Sequence, residues 1–177
     1  MKSVLISIQP KWCELIASGK KTVEVRKTKP KNLEVPFKVY IYETLGKKIR
    51  YNDYIWEHEG KGKVIGEFIC DEVCIYGQAI FDEQEPRDTE EIIELLINSQ
   101  LTYKDLRKYV RSKDFYTLHI SDFIIYDKPR ELSEFVRPCN HHDNDCWTCD
   151  RYDYIGNGCY NKIIRPPQSW CYVEKGM

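Results

Sequence analysis

Long apolar runs are missing from this chain of 177 residues. No stretch approaches the ~18 residues that a membrane-spanning helix requires, so no membrane span is expected. The opening Met1-Lys2-Ser3-Val4-Leu5-Ile6 has no apolar core followed by a small-residue cleavage site. A secretory leader is therefore not expected, and cytoplasmic residence is the default. There is no internal repeat, and no net excess of either charge, the formal charge being −1. What is there is globular: 42% apolar and 31% charged residues exclude a disordered chain. The length suits one domain over residues 1–177, large enough to bury a core without staples.

The near-zero charge hides a split. Residues 1–50 hold 12 Lys/Arg against 4 Asp/Glu, a net of +8, and the rest of the chain carries −9. A basic N-terminal third on a near-neutral protein points to an anionic partner, nucleic acid foremost. The alternative is that these lysines solvate strand and loop edges and offset the acidic stretch 82–94. Thirteen tyrosines bring the aromatic fraction to 13%. Such rings either stack on bases or bridge core and surface.

Periodicity places the elements. Val4 to Ile8 reads as a buried strand. Pro10 opens a short helix, where its missing N–H costs nothing. Trp12, Leu15 and Ile16 form that helix's apolar stripe, and Gly19 ends it. Thr22 to Arg26 alternates, with Val23 and Val25 on one face and Thr22, Glu24 and Arg26 on the other. A basic loop with Pro30 and Pro36 precedes a strand over 37–42, followed by a Lys-rich connection at 46–50. Val64 to Val73 reads as one strand with a bulge at Gly66. Helices are predicted from Ile92 and from Thr102, the latter with an Asp105 capping partner. Thr117 to Tyr126 reads as a strand that Pro129 interrupts, with Leu132 and Phe135 packing back on the core. Trp170 to Val173 closes the chain. About six strands and a few short helices suggest an α+β fold built on a small mixed barrel.

Residues 137–168 differ in character, being rich in Cys, Asn, Asp, Gly and Pro. Cys139, Cys146, Cys149 and Cys159 have the spacing of a knuckle with two flanking thiols. Four thiolates match a structural zinc, which would supply folding energy that the segment lacks in apolar area. His141 and His142 are spare ligands; disulfides and free thiols are the alternatives. Cys13, Cys70, Cys74 and Cys171 sit in apolar patterns and read as core. A zinc deaminase is excluded, because His58-Glu59 lacks the required spacing and no proline precedes Cys146.

Gly19-Lys20-Lys21-Thr22-Val23-Glu24-Val25-Arg26 fits G-x-K-x-x-E-x-R without mismatch. Set between a helix and a strand, this octapeptide resembles the ASCH domain family of the PUA-like superfamily. Gly62 to Phe68, His119-Ile120-Ser121 with Tyr126-Asp127-Lys128-Pro129, and the Arg165 to Val173 ending extend the likeness over nearly the whole chain. The ending is similar to that of small bacterial and phage members carrying a Cys-rich insert. The resemblance implies a small barrel, a cleft beside the first helix, and RNA or nucleoside binding. Some members are amidohydrolases acting on N4-acetylcytidine, and others are ribonucleases.

The residue types suit such a cleft. Glu24 and Arg26 are two apart and project from one face. Lys21, Thr22, Glu24 and Arg26 are the candidate ligand-binding residues. Arg26 offers a forked contact to phosphate or a guanine edge, and Glu24 can accept from a base amino group. Were the protein an enzyme, Lys21 and Glu24 would be its catalytic pair. The alternative is a surface strand with a weak Glu24–Arg26 pair. Lys20, Lys27, Lys29, Lys31, Lys47, Lys48 and Arg50 make a candidate phosphate rim. Tyr40, Tyr42, Tyr54 and Trp56 are candidate stacking rings. The amidohydrolase pattern carries over incompletely: its lysine matches Lys21, but Glu24 stands where a threonine nucleophile is expected. A glutamate is also expected near Asn98 to Leu101, where Glu94 is the nearest. His119 in a strand pattern is a structural residue or an acid–base partner. A protein-interaction adaptor using Glu90, Glu91, Glu94 and the knuckle is a further alternative.

Overall fold

The computed structural model describes residues 3–46, 48–51, 54–57, 60–81, 89–111, 113–138, 152–153, 158–159 and 162–175. In chain order the first elements are β1 (Ser3–Ile8), α1 (Pro10–Ala17), β2 (Val23–Arg26), β3 (Phe37–Glu43), β4 (Lys48–Tyr51) and β5 (Tyr54–Glu57). Then follow β6 (Lys63–Cys70), β7 (Val73–Tyr76), α2 (Glu90–Ser99), α3 (Tyr103–Val110), β8 (Phe115–His119) and β9 (Ser121–Arg130). The last are β10 (Phe135–Val136), β11 (Tyr152–Asp153), β12 (Gly158–Cys159) and β13 (Trp170–Lys175).

A six-stranded sheet in the order β10-β13-β1-β3-β6-β9 curls as a half-barrel. A three-stranded sheet, β2-β8-β7, accompanies it. β1 lies between β13 (antiparallel) and β3 (parallel), and Val4, Leu5 and Ile6 are fully buried. That explains its unbroken apolar run: a strand paired on both edges and covered on both faces has no solvent side to pattern. One core cluster joins Val4, Ile6, Val39, Ile41 and Phe68 with Cys13 and Ile16 of α1. A second, on the other face, gathers Leu5, Tyr40, Tyr42, Phe135 and Ile163. A third sets Val25 and Phe115 against Leu95 of α2 and Leu106 and Val110 of α3.

Several expectations hold. Pro10 starts α1, and Gly19 (φ +70°) ends it. Thr102 caps α3, its Oγ1 accepting from the Asp105 amide at 3.1 Å. The register of β3 and β6 against their partners shifts at Gly66, where a Cβ would lie 2.4 Å from the Ile124 carbonyl oxygen. Glycine is needed there for β9 to approach.

Other expectations are corrected. The strand read over 64–73 breaks at Asp71-Glu72, and the one over 117–126 breaks at Ile120. At both points the chain leaves one sheet for the other, so alternation continues while the partners change. Pro129 lies inside β9 rather than interrupting it. Among the described residues β9 is an edge strand with one unpaired side, where a missing N–H is tolerated. The 46–50 connection contributes β4, which pairs with β5. Tyr40 and Tyr42 are buried in the core and cannot stack on a ligand. Tyr40 instead packs edge-on against Phe135, with centroids 4.8 Å apart. Cys13 and Cys70 are buried as read, while Cys74 and Cys171 are partly exposed. Burial pushes the Cys70 thiol up to about 12. Cys139, Cys146 and Cys149 lie outside the described residues, as does the Cys159 side chain. Among the described residues no cluster of metal-ligating side chains occurs. No helix among them is long and apolar enough to cross a membrane.

Candidate functional site

The turn after α1 delivers the site. The amides of Gly19, Lys20 and Lys21 return to carbonyls of the last helical turn, at 2.9–3.0 Å from Ile16 and Leu15. The chain then enters β2 with Lys21 aimed at Glu24 and Arg26. Lys21 is 3% exposed, Glu24 8% and Arg26 6%. Lys21 Nζ stands 3.2 Å from Glu24 Oε2, and Arg26 Nη2 stands 3.1 Å from Glu24 Oε1. The motif thus forms a buried cation–anion–cation line, each carboxylate oxygen serving one cation.

The remaining donors reach far along the chain. Lys21 Nζ donates to the Val23 and Ser99 carbonyls, both at 2.8 Å. With Glu24 these make three acceptors for an ammonium's three hydrogens. Ser99 ends α2, so the cation also meets the negative end of that helix. Arg26 Nη2 donates to the Ser7 carbonyl at 2.8 Å, and Nη1 lies 3.4 Å from both the Ser169 carbonyl and its Oγ. Arg26 Nε is buried without a partner among the described residues. Four segments therefore converge: the ends of β1 and α2, the start of β2, and the approach to β13.

These residues floor a cavity of about 530 Å³, within the roughly 300–1,000 Å³ of small-molecule sites. Its walls include Gln9 and Trp12 from α1 and its cap, Thr44 after β3, Leu101 after α2, Tyr109 of α3, and residues 166–169. The Trp12 ring receives Lys21 Nζ at 5.3 Å and Lys11 Nζ at 4.6 Å from its centroid. Burial raises the Tyr109 phenol above its ordinary value, and the positive charge of Arg26 acts against that rise. The wall at 166–169 is tied down by Ser7, whose Oγ donates to the Pro167 carbonyl at 2.6 Å and whose amide donates to the Ser169 carbonyl at 3.0 Å.

Three of the four candidate ligand-binding residues, Lys21, Glu24 and Arg26, meet at one concave opening. Thr22 does not line it; its backbone instead pairs with Asn98 and Ile120. Lys20, Lys27, Lys29 and Lys31 are exposed. Lys47 and the side chains of Lys48, Arg50, Tyr54 and Trp56 lie outside the described residues.

A second cavity of about 280 Å³ opens on the other face of β2, lined by Val23, Glu72, Cys74, Glu91, Glu94, Thr117 and His119 among others. His119 Nδ1 lies 2.6 Å from Asp71 Oδ1 there. Glu94 and His119 therefore do not join the Lys21 cleft.

Sequence reasoning missed Trp12 as a wall, having read it as core, and missed Tyr109. The ties from Arg26 to Ser7 and Ser169 carbonyls leave no side-chain signature. The Pro166-Pro167-Gln168-Ser169 run did carry a signal, as part of the chain's family likeness.

Residues 6–87 match the model of the ASCH domain family. No curated protein matches the chain. Among solved structures, the chain is similar to the ASCH protein from Zymomonas mobilis, at 20% identity, a TM-score of 0.53, and coverage of 98% of this chain and 88% of that one. It is likewise similar to a point-substituted variant of the same protein, at 19% identity, a TM-score of 0.55, and coverage of 99% and 92%. These likenesses show the fold: α+β, with a half-barrel sheet like that of the Zymomonas mobilis ASCH protein.

Proposed function

We propose that the cleft floored by Lys21, Glu24 and Arg26 binds the base of an RNA or of a modified nucleoside. The observation that carries this reading is the buried triad lying at the bottom of a ligand-sized cavity. Buried charges are retained where they are paired and fixed, and here they hold four chain segments around one opening. The walls combine apolar surface and rings with the amides of Gln9 and Gln168, a mixture that suits a heteroaromatic ligand. The family match over residues 6–87 supports the same class of ligand.

Binding is favoured over hydrolysis. Lys21 has all three hydrogens engaged, and the nearest glutamate to the amidohydrolase position, Glu94, opens on the second cavity. Calorimetric titration with cytidine, N4-acetylcytidine and short single-stranded RNA tests the reading. The expected result is saturable binding that Lys21→Ala with Arg26→Ala removes, without turnover. Wild-type binding that survives both substitutions contradicts it. Release of acetate or cleavage of RNA, abolished by Lys21→Ala, would replace it with an enzyme.

We further propose that Cys139, Cys146, Cys149 and Cys159 hold one structural zinc. Elemental analysis should find about one zinc per chain, lost in the Cys146→Ser/Cys149→Ser variant. A metal-free wild-type chain purified without chelator contradicts this.

A further inference from the structure

We infer that the loop at residues 27–31 is a phosphate track belonging to the cleft. The ligand is then one nucleotide within a single strand, its base in the cavity and its backbone outside along the loop. This rests on the base-binding reading above.

Lys27, Lys29 and Lys31 are exposed, and among the described residues none has a carboxylate partner. Three closely spaced cations with no carboxylate partner among the described residues are a standing attraction for a polyanion. Two of them continue the cleft itself. Lys27 Nζ lies 5.0 Å from the centroid of Tyr109, a wall of the cavity. Lys29 Nζ lies 5.6 Å from the centroid of Tyr116. Tyr116 is the cross-strand partner of Arg26, and directly paired residues share a face of the sheet. Tyr116 therefore stands on the cleft side, one step outward from the triad.

The loop is also held in place. Trp170 Nε1 donates to Thr28 Oγ1 at 3.0 Å, and the Tyr172 hydroxyl donates to the Lys31 carbonyl. Pro30 is buried between them. Both rings belong to β13, which follows directly from the Ser169 wall. A basic loop fixed beside the cavity presents its charges without first being ordered. The triad's cations, by contrast, are already matched by Glu24 and by carbonyls. Phosphate is thus better served by the loop, and an uncharged base by the cavity.

The test uses the whole protein, cytidine, and fluorescein-labelled 8-nucleotide single strands of RNA and DNA of one mixed sequence. Anisotropy titrations across salt compare wild type with Lys27→Gln/Lys29→Gln. For the strand, the double variant should weaken binding about tenfold and flatten the log K against log salt slope by about 1.4, two contacts at ~0.7 each. Cytidine affinity should change less than twofold. A loss on either sugar supports the track, and the tighter strand names the sugar. Wild-type strand affinity and slope in the double variant overturn it, as does an equal loss for cytidine and strand. If cytidine binds wild type and neither strand does better, the track is wrong and the cleft reading stands. If neither cytidine nor strand binds, both fall.

Discussion

β2 separates two cavities of opposite electrical habit. On one face, Lys21, Glu24 and Arg26 are buried, and each charge meets its complement. On the other, Glu72, Glu91 and Glu94 are exposed, and none has an ion-pair partner among the described residues. The difference follows from solvent. A charge withdrawn from water must be matched by protein, whereas one left in water is matched by water. Fixed geometry is accordingly found in the first cavity, and the second reads as a solvated acidic face. Both arise from one alternating strand, since Val23 lines the second and Glu24 and Arg26 the first.

The largest expected effect breaks the match. Glu24→Ala leaves two buried cations facing each other and should cost about 3–5 kcal/mol in urea unfolding. Glu94→Ala on the other face should change stability by less than about 0.5 kcal/mol. Equal costs would erase the distinction between the cavities.

Arg26→Lys keeps the charge but loses the fork that spans Glu24, Ser7 and Ser169. About 2 kcal/mol is expected, in the range of hydrogen bonds to charged groups. Hydrogen exchange at the Ser7 amide, which donates to the Ser169 carbonyl, should speed up as the 166–169 wall loosens. Unchanged protection there would mean that Arg26 does not hold the wall.

A smaller effect calibrates the intermediate case, a half-buried carboxylate. Glu67 accepts from Lys38 Nζ at 2.6 Å and from the Tyr126 hydroxyl. Burial pushes its carboxyl up, but the two hydrogen bonds and the Lys38 charge outweigh that and hold it below the usual range. A depressed carboxyl contributes stability that is complete above its unfolded value of about 4.3 and is lost as pH falls through the folded value. Glu67→Gln should therefore cost about 1 kcal/mol at neutral pH. Its difference from wild type should shrink as pH drops below about 4. A pH-independent difference would assign the cost to packing instead.

The sequence made the first cavity half legible. Proline at the start of α1, glycine at its end and the alternation of β2 are local, so Glu24 and Arg26 could be set on one side from spacing, with Lys21 beside them from its place after the helix-ending glycine. Their burial could not, because it depends on Ser99 and Ser169, 78 and 143 residues away in the chain. Those contacts use backbone carbonyls, which every residue has. The sheet changes at Asp71-Glu72 and Ile120 were hidden for a related reason: alternation reports a buried face but not which sheet owns it. Tyr40 and Tyr42 show the limit for aromatics. The same alternation that makes a strand half-exposed at an edge buries it when a second cluster covers the outer face.

The claim that binding belongs to the triad's cavity is tested most directly by mapping amide and indole ¹H–¹⁵N shifts during titration with a single-stranded RNA 8-mer. The account predicts perturbations at the Trp12 indole, Lys21, Tyr109, Gln168 and the 27–31 loop, with residues 72–76 and α2's Glu91 and Glu94 unmoved. Perturbations confined to Glu72–Tyr76 and α2 would contradict it.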